Sequence, residues 1–307
     1  MLAFLVHAGI LLALPPLLPG IISKTKALAA GRRGAPLLQG YRDIAKLLRK
    51  SLVLSGTTGW VFVAGPIVGA AAVALAGFLI PLGPSPAPLA FAGDMLLFAY
   101  LFGLARFFAI VAALDTGSAF EGMGSSREAF FACLTEPAIL LAFLALSKRS
   151  LSLSLSGMLG AAGGWASTGS IAGAAPFVLV CLGLFVVLLA ETCRLPVDDP
   201  TTHLELTMIH EAMVLDHGGP LLALVEYSSA MKLLVLESLL ARLVLPLVSL
   251  PAWLGCCLSA AVALALSAAI GVLESGMARL KMRRVPYLLT GAILLCGSSF
   301  ILMGAAA

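Results

Sequence analysis

The sequence predicts an all-α, polytopic membrane protein, with about eight transmembrane helices and one interfacial amphipathic helix in a single membrane domain, residues 1–307. Three observations carry this expectation. Only 11% of the residues are charged and 61% are hydrophobic, whereas a soluble domain carries roughly a quarter charged. Apolar runs of about 20 residues, enough to cross ~30 Å of hydrocarbon, recur along the whole chain. These runs are continuous rather than alternating, which excludes a β-barrel.

The expected spans are residues 2–22, 60–80, 94–114, 129–147, 174–190, 221–249, 252–273 and 285–303. The first has no Lys or Arg before it and no small-residue cleavage site, so it reads as a retained span rather than a signal peptide. Loops one and seven hold eight and four Lys plus Arg, while loops two and six hold none. The bias of positive charge toward the cytoplasm then puts the odd-numbered loops inside and both termini outside.

Within loop one, Leu37, Tyr41, Ile44, Leu48 and Leu52 share one helical face and Arg42, Lys46 and Arg49 another. Pro36 suits the first turn of that helix. Such a helix lies in the membrane interface, either as an anchor to anionic lipid or as a wall beside a cavity. Loop two, Pro81 to Gly93, reads as a Pro- and Gly-rich turn. Loop three, Asp115 to Glu128, is rich in Gly and Ser but lacks G-x-x-x-x-G-K-(S/T), so no nucleotide site is expected, and nucleic acid is not among the expected partners. Loop four, Lys148 to Gly173, is Ser- and Gly-rich and is expected to be a flexible external segment.

Loop five concentrates the chemistry. Six of the fifteen Asp and Glu residues, Glu191, Asp198, Asp199, Glu205, Glu211 and Asp216, follow directly on an apolar run. Thr202 with Glu205 has capping-box spacing, which predicts a short helix from about 202 to 214. His203, His210 and His217 recur every seven residues, but solvated or hydrogen-bonded histidines are expected rather than a metal site. The six cysteines show no C-x-x-C spacing, so neither a cluster nor structural zinc is expected on this chain. Charges also fall inside spans: Arg106, Glu136, Glu226, Lys232, Glu237 and Arg242. One such charge reads as structural pairing; together they mark an ion or proton path.

Two motifs then carry a family resemblance. Ala190-Glu191-Thr192-x-Arg194-x-Pro196-x-Asp198-x-Pro200, with Glu205-Leu206 after it, resembles the signature loop of membrane subunit 1 of respiratory complex I. Pro36-x-Leu38-Gln39 followed by Asp43-x-x-Lys46-Leu47-Leu48 resembles that family's first-loop motif, and Glu136 stands at its acidic position in span four. After Pro200, Thr201 and His203 replace acidic residues usual in complex I. The segments 115–118, 124–128 and 202–211 look more like the homologous subunit of group 4 nickel–iron hydrogenases, of the hydrogenase-4 and formate hydrogenlyase types. The altered residues border the complex I quinone cavity, so the resemblance does not carry quinone binding over to this chain.

The resemblance implies a non-catalytic membrane-arm subunit of an oxidoreductase complex in the bacterial or archaeal cytoplasmic membrane. It implies no cofactor on this chain, with nickel–iron and iron–sulfur centres in the hydrogenase large and small subunits, and antiporter-like membrane subunits and lipid as further partners. Glu136, Glu191, Asp198 and Glu205, together with Glu226, would line a hydrated proton or ion route. Arg32, Gln39, Asp43, Lys46, Arg127, Arg194, His203, His210 and Glu211 would form the docking face or the cavity wall, with Arg194 holding the acidic loop in register. The alternative is a quinone-binding membrane subunit of an NADH:quinone oxidoreductase. A stand-alone transporter would show duplicated halves, and no internal repeat is found. A pure scaffold would need its buried carboxylates only for assembly.

Overall fold

A computed structural model describes residues 2–162, 171–198, 208–245 and 251–305. Its helices are α1 (Leu2–Ala13), α2 (Leu17–Ala29), α3 (Gln39–Leu48), α4 (Trp60–Leu79), α5 (Asp94–Asp115), α6 (Ala119–Ser150), α7 (Leu155–Ala162), α8 (Ile171–Glu191), α9 (His210–Met213), α10 (Gly219–Val244), α11 (Ala252–Gly276) and α12 (Val285–Ala305). Among the described residues there is no strand. Seven helices are long and apolar enough to cross a membrane, as the apolar runs predict.

The start of the chain differs from the expected continuous span over 2–22. It is a bent pair, α1 and α2, meeting at 45°. The cause lies at Pro15-Pro16: proline supplies no N–H to the helix and pushes the residue before it out of the helical region. One end of the pair is tied at His7, whose Nε2 lies 3.0 Å from the Gly77 carbonyl near the end of α4. The other end is tied by Lys26 to Glu274 of α11 at 2.9 Å.

Loops of the same parity meet, as alternate crossings require. On the even-loop face, Asp94 accepts bonds from the Leu155 N–H (2.5 Å) and the Ser154 hydroxyl (3.0 Å), fastening loop four to the start of α5. Over 148–162 loop four therefore departs from the expected flexible segment, while 163–170 lie outside the described residues. It contains α7, whose Leu155, Met158 and Leu159 are sunk in the core. On the odd-loop face the Asp115 carboxylate accepts from the Gly59 N–H, and the Leu280 N–H donates to the Pro196 carbonyl.

Loop three is also corrected. Residues 119–128 are helix, the first turns of α6. At 32 residues α6 is about 48 Å long, well beyond the hydrocarbon thickness, so its N-terminal turns stand clear on the odd-loop face. Gly117, at φ +71°, makes the reversal, and the Ser118 N–H donates to the Thr116 hydroxyl ahead of the first turn. Gly124 is small because α9 crosses it: a β-carbon there would lie 2.9 Å from the Ile209 carbonyl and 3.0 Å from Ala212. Of the helix expected over 202–214, only His210–Met213 is helical among the described residues. The span expected over 221–249 is helical only as Gly219–Val244; beyond it, 246–250 lie outside the described residues.

Inside a bilayer the hydrophobic effect no longer drives helix against helix, so close packing and polar contacts must hold the bundle. Small residues permit it: Gly65 of α4 meets Ala112 of α5, Gly183 of α8 meets Cys296 of α12, and Gly271 of α11 meets Thr25 and Ile22 of α2. The main core runs through Phe98, Phe102 and Phe143 to Leu233–Leu236 of α10. A smaller cluster, Phe131, Val197, Ile209, Val285 and Leu289, pins the acidic loop onto α6 and α12. The amphipathic helix expected around 37–52 is α3, set against α2 and α10 with no residue buried.

Candidate functional site

Arg106 projects from α5 into the bundle and meets carboxylates from two neighbouring helices. Its Nε lies 3.2 Å from Glu128 and its Nη1 2.6 Å from Glu136, both on α6; its Nη2 donates to Glu191 at the end of α8. The second Glu191 oxygen is 2.6 Å from the Lys232 ammonium of α10. Thr135 donates to Glu191 at 2.9 Å. Four helices thus converge on one carboxylate whose side chain is only 1% exposed. This arrangement answers the cost of charge in a membrane interior, since each ion is paired. Three carboxylates share two cations, so with every group ionised the cluster carries an excess negative charge.

The cluster lines a small cavity of about 90 Å³, partly open to the surface. Arg106, Glu128, Glu191 and Lys232 form its charged wall, His210 and His217 part of its rim, and Gly65, Pro66 and Gly69 of α4 a small-residue wall. His217 stacks on Phe62, ring centroids 4.1 Å apart, and both its ring nitrogens are buried without a hydrogen-bond partner. Burial lowers its imidazole from the ordinary value of 6.5, which keeps it neutral. Burial pushes the Cys193 thiol of the same wall well up, so it is no thiolate.

The expected route residues divide. Glu136 and Glu191 do come together, but through Arg106 rather than along a bare acidic path. The Glu136 side chain is 52% exposed on the outside of the bundle. Asp198 belongs to a separate assembly: it accepts from the Arg279 guanidinium at 2.6 Å and from the Ile209 and His210 N–H groups at 3.2 and 3.4 Å. It ties the acidic loop to Arg279, and Arg194 of the same loop faces Glu274 of α11 at 3.8 Å. Glu226 lies apart as well, in a groove between α2, α3 and α10 that Gln39 and Asp43 also line. Glu205 and His203 lie outside the described residues.

Of the remaining docking candidates, Arg127 donates to the Met208 carbonyl at 2.7 Å and holds α9 to α6. Gln39 donates to Asp43 at 2.8 Å, one turn along α3. Arg32 and Lys46 are exposed, and Glu211 is half-buried on α9. The residues missed by the sequence reasoning are Arg106 as the hub, Glu128, and Lys232 as a partner of Glu191. Glu128 was hidden because its segment reads as loop; the helical continuation of α6 turns it inward.

Fold and cavity together define a polytopic membrane subunit with an ionic cluster beneath one face. The family model described as NADH dehydrogenase matches residues 1–304, and the chain belongs to that family. It is similar to formate hydrogenlyase subunit 4 of Escherichia coli (strain K12), 31% identical over 288 residues, covering 92% of each chain. It is also similar to hydrogenase-4 component C of the same organism, 33% identical over 243 residues, covering 79% of this chain and 74% of that one. A solved structure of the membrane-bound sulfane sulfur reductase, an archaeal respiratory membrane complex, contains a chain with the same fold, at a TM-score of 0.81 and 21% identity over 98% of both chains.

Proposed function

We propose that this chain is the membrane-arm subunit of a respiratory-type hydrogenase complex, non-catalytic by itself, which docks the peripheral electron-transfer arm and couples its turnover to proton or ion movement. The odd-loop face, cytoplasmic on the positive-inside bias, receives the arm, and both termini lie outside. The protein sits in the cytoplasmic membrane. Nickel–iron and iron–sulfur centres belong to the hydrogenase large and small subunits, and antiporter-like subunits adjoin within the membrane. Similarity to two hydrogenase subunits over most of the chain supports this reading.

The observation that carries the coupling role is the Arg106–Glu191–Lys232 cluster, lining a cavity directly beneath that face. A redox change docked above it alters the field across a site where three carboxylates compete for two cations. Such a site takes up or releases a proton in response. Glu191→Gln and Lys232→Gln complexes, assembled in everted vesicles, are expected to keep hydrogen turnover with a protonophore present and to lose proton translocation. Wild-type translocation ratios in both variants would refute the role.

A further inference from the structure

Glu237 belongs to no part of the cavity. Its side chain is fully buried between α10 and α11, where the Ser267 hydroxyl lies 2.8 and 3.0 Å from its two oxygens. No ion pair reaches it among the described residues. Lys232 is five residues back on α10, about 140° around the helix axis, and is committed to Glu191. A carboxylate ion with a single hydroxyl donor and no counter-charge is costly in a membrane interior. A carboxylic acid fits: one O–H, one acceptor oxygen, and a serine that serves both.

Other buried polar groups stand along α11, with Ala263 and Ile270 buried between them. The buried stripe of α11 facing α10 places Ser259, Ser267 and Glu274 at spacings of eight and seven residues, about 12 and 10 Å along one helix face. Arg242 of α10 lies near Cys256 at the even-loop end. At the odd-loop end Glu274 meets Lys26 and Arg194. Ten buried side-chain N and O atoms lack a hydrogen-bond partner among the described residues, and six lie here. They are Ser259 Oγ, Arg242 Nε and Nη1, Arg194 Nε and both Glu274 oxygens, the last two held by the ion pairs alone. Buried polar groups are ordinarily satisfied. Buried polar groups left without a protein partner are ordinarily met by bound water.

We propose that Glu237 is a proton-carrying carboxyl on a second track along the α10–α11 seam, separate from the Arg106 cavity. It rests on the coupling role proposed above and names a second site within it. In the step, the Glu237 O–H bond breaks and its proton passes to a water oxygen on the even-loop side, toward Ser259. The carboxylate regains a proton from water on the odd-loop side, so no charge accumulates over a cycle.

The test uses the assembled complex in everted vesicles. Glu237→Gln keeps the shape and the bond to Ser267 but has no proton to release. It is expected to leave protonophore-treated hydrogen turnover unchanged and to slow proton translocation by about a hundredfold or more, with Glu237→Asp partly restoring it. Infrared difference spectra on turnover should show a protonated-carboxyl C=O band that Glu237→Gln removes and Ser267→Ala shifts. Translocation at the wild-type ratio in Glu237→Gln overturns the proposal, as does a spectrum in which neither variant alters such a band. If wild-type vesicles translocate no protons, the coupling role falls, and the infrared band alone decides whether Glu237 exchanges a proton. If Glu237→Gln fails to assemble, Ser267→Ala carries both measurements.

Discussion

Replacing Arg106 by Met removes the one cation that touches three carboxylates while keeping an apolar stem of similar length. The loss is dominated by Glu191, the only one of the three fully sequestered from solvent. Opposite charges about 4 Å apart attract by about 4 kcal/mol at an effective dielectric constant of 20. That agrees with the roughly 3–5 kcal/mol lost when one partner of a buried pair is deleted. Glu136, half-exposed, adds about 1 kcal/mol at most. Lys232 and Thr135 still hold Glu191 in the variant, so the loss should fall near the lower bound, about 3 kcal/mol. Adding Glu191→Gln to Arg106→Met should recover part of it, because the orphaned charge is then gone. The assay is reversible denaturation of the purified subunit in detergent, with the double-mutant cycle. A loss for Arg106→Met below about 1 kcal/mol, the value for an exposed pair, would refute the premise that the cluster is shielded from water.

Other outcomes follow from single contacts. Asp198→Asn should free the acidic loop from Arg279 and weaken two amide bonds, at about 1.5–3 kcal/mol per bond to a charged group; faster hydrogen exchange at the Ile209 and His210 amides would register it, and unchanged exchange would refute it. Gly65→Leu should disrupt α4 against α5, since a β-carbon there already lies 2.6 Å from the Ala112 β-carbon; a wild-type melting midpoint would contradict this. His217 predicts a pH effect of definite sign. Its folded-state value is lowered by burial, so below about pH 6.5 the unfolded chain gains a proton that the folded chain does not. Stability should fall as pH drops through that value and be flat above it, and His217→Phe, which keeps the stack on Phe62, should abolish the acid-side loss. Equal slopes for the two proteins in melting midpoints from about pH 7.5 to 5.5 would contradict the assignment.

The helical membrane class and the placement of most spans were legible in the chain because hydrocarbon thickness imposes length and polarity locally. Loops of the same parity do meet, as a chain that crosses back and forth requires. The place of Glu191 at the end of an apolar helix was legible too, and a carboxylate there is costly unless it is paired. Three-dimensional packing decided the rest. Residues 119–128 carry Gly and Ser that locally favour a loop, yet contacts with α9 extend α6 through them and turn Glu128 toward Arg106. That Arg106 should gather Glu128, Glu136 and Glu191, that Asp198 should meet Arg279, and that Glu237 should face Ser267 all depend on which helix faces meet. A sequence fixes the angular position of a residue on its own helix, but the partner across the interface is set by how the helices pack, and burial, pairing and charge follow from that partner.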